Sequence, residues 1–79
     1  MTEFQQSLVL HAGRHPGKSD RELTEELLGK GVHPSRVNQE ARLLESRGKL
    51  QRRLRADGRI GNYPVRGGLL RKVLRLIPG

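Results

Sequence analysis

Apolar positions along the chain fall into three short helical patterns, one alternating stretch and a last helical pattern. Phe4, Leu8 and His11 or Ala12 share a face at helical spacing, with Thr2 placed to cap the helix and Gly13 to loosen its end. Arg14-His-Pro-Gly-Lys18 reads as a turn, because Pro16 disfavours helix at His15 and Gly17 punctuates again. Ser19-Asp20-Arg21-Glu22 spells a capping box in which Ser19 accepts from the backbone of Glu22 and the Glu22 carboxylate reaches back. The helix it opens is expected to run about three turns on the stripe Leu23, Leu27, Leu28, and Gly29-Lys30-Gly31 closes it. A third helix is expected from Pro34, capped by His33 or Ser35. Val37, Ala41 and Leu44 face inward, and Ser35, Asn38, Gln39, Arg42 and Ser46 lie on the opposite side.

Past Gly48 the period changes from 3.6 to two. Leu50, Arg52 and Leu54 alternate with Gln51, Arg53 and Arg55, so the strand's apolar side should hold Leu50 and Leu54, with Arg52 at the rim of the core. Asp57-Gly58 is a strong hairpin signal, Arg59 to Tyr63 can return as the partner strand, and Pro64 closes it. After Gly67-Gly68, Leu70, Val73, Leu74 and Ile77 form a stripe against Arg71, Lys72 and Arg75, which predicts a basic amphipathic helix. The expected fold is mainly α with a small β-hairpin: a domain over 1–66, then a C-terminal helix within 67–79 that packs on it or pairs two copies.

The 79 residues allow one small domain, and with Phe4 and Tyr63 as the only aromatics its core must be aliphatic. The lack of cysteine excludes a disulfide framework and a thiolate metal site, and it fits a reducing cytoplasm. No segment approaches the roughly 20 apolar residues of a membrane span, and the N-terminus lacks a signal-peptide pattern, so a cytoplasmic protein is expected. Charge changes the picture most. Residues 1–33 hold four bases (Arg14, Lys18, Arg21, Lys30) against five acids, whereas residues 34–79 hold twelve bases against three acids, within a net +8. Positive charge gathered on one half of a small chain is the footprint of a polyanion binder, because each phosphate neutralised releases condensed counterions.

Helix, capped short helix, tight turn, polar-faced helix and hairpin is the order of a helix-turn-helix followed by a wing. The residues that carry the likeness are Ser19-Asp-Arg-Glu-Leu-Thr-Glu-Glu-Leu27, then Val37-Asn-Gln-Glu-Ala-Arg-Leu-Leu-Glu-Ser-Arg-Gly-Lys-Leu50, and Arg52-Arg53 with Asp57-Gly58. In these the chain resembles the winged-helix DNA-binding domains of small prokaryotic or phage type. The resemblance implies a double-stranded DNA partner, no cofactor, and a role as a transcriptional regulator or an architectural or excision factor. The third helix would then read base edges with Ser35, Asn38, Gln39 and Arg42: Asn and Gln suit adenine, and Arg suits guanine. Arg36, Arg47 and Lys49 near the helix ends would meet phosphates. So would Arg52, Arg53, Arg55 and Arg59 of the hairpin, which holds four Arg and one Asp where a merely solvated surface would mix both signs. A homodimer through Leu70, Val73, Leu74 and Ile77 would set two such surfaces on two half-sites. Two rival readings are a protein-interaction winged helix and an RNA-binding module. The winged helices that bind left-handed DNA carry an aromatic one turn after their Asn, where this chain has Arg42.

Other signals are weaker. Gly17-Lys18-Ser19 lacks the glycine spacing and preceding strand of a phosphate-binding loop, and the capping role of Ser19 accounts for it. His11 and His15 have the spacing of helical metal ligands, but Gly13 and Pro16 interrupt the helix and no further ligands complete a site. No nucleophile or paired acid and base is evident, so neither enzyme activity nor a small-molecule substrate is expected.

Overall fold

The computed structural model describes residues 1–65, in the order α1 (Glu3–Arg14), β1 (Lys18–Ser19), α2 (Asp20–Leu27), α3 (Ser35–Ser46), β2 (Leu50–Leu54) and β3 (Ile60–Pro64). Three helices and a three-stranded antiparallel sheet of order β1-β3-β2 make a small α+β domain, a layout compatible with a winged helix. The expectation of a lone hairpin is corrected by β1. Lys18 and Ser19, placed by the sequence in a turn and a cap, also pair with Asn62 and Gly61. Two residues carry no periodicity, so no pattern announces this strand. The helix expected over 69–77 and the dimer interface assigned to Leu70, Val73, Leu74 and Ile77 lie outside the described residues.

Capping sets the helix starts. Ser19 Oγ accepts from the Glu22 N–H at 3.2 Å while Glu22 Oε1 accepts from the Ser19 N–H at 2.8 Å. Thr2 and Gln5 repeat the device at α1, at 3.1 and 3.0 Å. α2 has eight residues, nearer two turns than three, because Gly29 at φ +110° turns the chain and donates to the carbonyls of Glu25 and Thr24. α3 has Pro34 at its cap position and no side-chain cap of its own; Ser35 N–H donates to His33 Nδ1 at 3.1 Å from outside the helix. It ends where Gly48 (φ +73°) donates to Glu45 and Lys49 donates to Leu44, the paired bonds of a Schellman motif.

Leu8 and Ala12 of α1, Leu23 of α2, Val37, Ala41 and Leu44 of α3, and Leu50 of β2 close one aliphatic core, flanked by Phe4, Val9, Leu27 and Leu28. Leu54 does not join it. The side chain is 71 % exposed, which corrects the expected Leu50–Leu54 apolar side. Arg52, expected at the rim, turns inward between them with 9 % of its side chain exposed. β2 and β3 pair from Leu50↔Pro64 to Leu54↔Ile60. Gly58 N–H donates to the Arg55 carbonyl and takes φ +85°, giving a three-residue loop over Ala56-Asp57-Gly58.

Candidate nucleic-acid interface

The first turn of α2 anchors the hairpin to the helices. Asp20 sits there, and Arg52 reaches it from β2 with Nη1 at 2.7 Å and Nη2 at 3.0 Å, a forked pair. The fully buried Asn62 of β3, directly opposite Arg52, accepts from Arg52 at 2.8 Å and donates to Asp20 at 2.9 Å and to the Lys18 carbonyl at 3.0 Å. Asn38 of α3 supplies a further donor to Asp20 at 2.9 Å. Four elements thus meet on one carboxylate. Burial pushes the Asp20 carboxyl up, but the hydrogen bonds from Arg52, Asn62 and Asn38 outweigh it and hold the group below its ordinary value. Among the described residues no buried side-chain polar atom lacks a partner, so the cluster meets the condition under which buried polar networks stabilise a fold.

A second clamp lies on the other side of the sheet. Arg55 donates to Glu22 at 2.5 Å and to the Gly17 carbonyl at 3.0 Å, and it also pairs with Asp57 at the hairpin tip at 2.5 Å. The Ser19 backbone N–H and then Arg55 pull the Glu22 carboxyl down from 4.5 to about 2. Gly61 is what lets the strands come this close. A Cβ there would meet the Gly17 carbonyl oxygen at 2.9 Å and the Arg55 side chain at 3.0 Å.

These pairings redistribute the roles expected from the sequence. Ser35, Gln39 and Arg42 are exposed on α3, and Arg36, Arg47 and Lys49 are exposed near its ends. Asn38 is half-buried, with its amide committed to Asp20. Arg52 and Arg55, expected on phosphates, are instead taken up by acids of the fold. Arg53 stays exposed and stacks over Tyr63 at 4.6 Å, while Arg36 lies over Phe4 at 4.1 Å. An open cleft of about 320 Å³ separates α3 from the hairpin, lined by Ser19, Asp20, Arg21, Asn38, Arg59 and Ile60. Arg21, which no sequence pattern assigns to a partner, therefore faces the same space as Arg59. Its one signal is its place in the first turn of the helix that precedes α3.

All eight acids of the chain lie within the described residues, and six of them are engaged internally. Glu26 holds His11 and Lys18, Glu40 accepts from Gln5, and Glu45 accepts from the Arg52 N–H on the open edge of β2. In contrast, Arg21, Arg36, Arg42, Arg47, Arg53 and Arg59 form no ion pair among the described residues, and neither does Lys49. Around α3 and the hairpin, the side chains of these seven cations are therefore left without an acid to pair with among the described residues. Among the described residues no group of His, Cys, Asp or Glu is arranged to hold a metal ion, and no helix is long and apolar enough to cross a membrane. Comparison with protein-family models, characterised proteins and solved structures gives no match.

Proposed function

We propose that this domain binds double-stranded DNA as a winged helix-turn-helix, with α3 in the major groove and the β2–β3 hairpin along the flanking backbone, in a regulatory or architectural role. The observation that carries this reading is the division of charge. Six of the eight acids are engaged within the fold, whereas Arg42, Arg47 and Lys49 of α3 and its C-terminal end, and Arg53 and Arg59 of the hairpin, form no ion pair among the described residues. A helix about 10–12 Å across fits a major groove about 12 Å wide. Exposed Gln39 and Arg42 supply the bidentate chemistry of adenine and guanine edges, with Ser35 beside the helix start. Asn38 serves instead to hold α3 against Asp20, and phosphates fall to Arg21, Arg47, Lys49, Arg53 and Arg59. Pairing of two copies through residues 70–77 would give two half-sites, which sedimentation of the full chain checks.

The test is a competition among duplex DNA, duplex RNA and single strands over several salt concentrations. The expected result is a preference for duplex DNA that persists as salt rises, with Arg42→Ala weakening the best site by about 1–3 kcal/mol and relaxing one base position. Preference for RNA, or attraction to every polyanion alike that vanishes with salt, would reject the reading; binding to none would favour a protein partner.

A further inference from the structure

Gln5, Leu8 and Ala12 turn one side of α1 into the domain, and the opposite side is exposed. Glu3, Ser7, Leu10 and Arg14 line that outer side at the alternating four- and three-residue steps of a helix-pairing seam. Leu10, near its middle, is 60 % exposed. Glu3 and Arg14 stand at its two ends, and neither forms an ion pair among the described residues. They cannot reach each other, because a rise of about 1.5 Å per residue sets them about 16 Å apart along the helix. Beside this face, a Cβ on Gly13 would meet nothing within 4 Å. No crowding within the domain calls for glycine there, whereas close approach of a second backbone would use it.

Turned end for end, this face complements itself. With a two-fold axis between Leu8 and Val9, Glu3 of each copy meets Arg14 of the other, and Ser7 of each meets Leu10 of the other. A two-fold contact requires this reciprocity, in which one patch serves both sides. We propose that the outer face of α1 is a self-association surface on which two copies of this chain pair antiparallel. It is separate from the pairing expected through residues 70–77, and it stands apart from the duplex-DNA reading, since none of the side chains assigned to DNA lies on α1. Two helices about 18 Å long bury less than a standard interface, so the dimer is weak, with a dissociation constant on the order of 10 μM. Its end contacts are solvent-exposed, so added salt loosens it.

Sedimentation equilibrium of the full chain over about 1–500 μM is the test, and a monomer–dimer equilibrium is the expected result. Each dimer holds the Glu3–Arg14 contact twice. Either Glu3→Arg or Arg14→Glu alone therefore turns both attractions into repulsions and weakens pairing by about tenfold or more. An equimolar mixture of these two variants should recover the parental affinity, because each offers the charge that the other lacks. Leu10→Gln should weaken pairing while its melting curve, followed at a concentration where the parent is monomeric, stays that of the parent. A parent that remains monomeric throughout would overturn the proposal and leave Glu3 and Arg14 to the helix dipole. A dimer indifferent to all three substitutions would overturn it too and assign pairing to residues 70–77. Folded charge variants whose mixture recovers nothing would overturn the antiparallel register.

Discussion

Arg52 makes three charge-assisted or amide hydrogen bonds with 9 % of its side chain exposed, so its removal leaves the Asp20 carboxylate facing two asparagines with no cation. Arg52→Ala is expected to cost about 3 kcal/mol in urea unfolding, the low end of the loss from breaking a buried ion pair. Asp20→Ala should cost a similar amount and the double variant well under the sum, because both single changes break one network. A loss near zero for Arg52→Ala would mean that the cluster does not hold the hairpin. Alternation along β2 places Arg52 and Arg53 on opposite sides, and that much is legible in the sequence. It does not show that an acid waits on the core side, since Asp20 is already accounted for as a first-turn residue of α2. Yet an Arg between two leucines, opposite a strand Asn, is a pattern that calls for a buried carboxylate, and on that ground the pairing is within reach of the sequence. Asn38 departs from its expected role for the same reason: its spacing places it on the outer half of α3, but at the edge that α2 covers.

At the scale of elements, the α2 N-terminus ties stability to pH. Glu22 titrates at about 2 in the folded domain against 4.5 ordinarily, so its stabilisation is complete above about pH 4.5 and is lost as pH falls toward 2. Melting temperature should therefore fall over that window, and Glu22→Gln should start lower at neutral pH and lose less on acidification. Parallel curves for the two proteins would remove the cap and the Arg55 pair from the account. The hairpin gives a second test. Replacing Arg53 and Arg59 with alanine should lower affinity for all duplexes alike and flatten log K against log salt by about one unit for each phosphate no longer neutralised, whereas an unchanged slope would take the hairpin off the backbone. The three helices and the hairpin are readable because capping boxes, glycine stops and the change of period each leave several residues of signal. The Thr2–Gln5 box is equally legible, since Gln serves as readily as Glu. β1 is not, because a strand two residues long is defined by Asn62 and Gly61 across from it and by nothing in its own sequence.

For the whole molecule, the sequence's imbalance of charge becomes a spatial one. Asp20 and Glu22 near the α2 start, with Glu40 and Glu45 of α3, are hydrogen-bonded within the fold, and unpaired arginines span α3, the cleft and the hairpin among the described residues. The gross separation is legible as a count of bases past Pro34, but which arginines are free is not, because that depends on pairs thirty or more residues apart such as Asp20–Arg52 and Glu22–Arg55. That surface is the central claim, and a nitrogen-15 NMR titration of the full chain with its preferred duplex DNA tests it most directly. Shifts should concentrate at Ser35, Gln39, Arg42 and Ser46, at Arg21, and at Arg53 to Ile60, while Leu8 and Leu10 of α1 stay still. Shifts centred on α1, or spread evenly over every exposed residue, would contradict it.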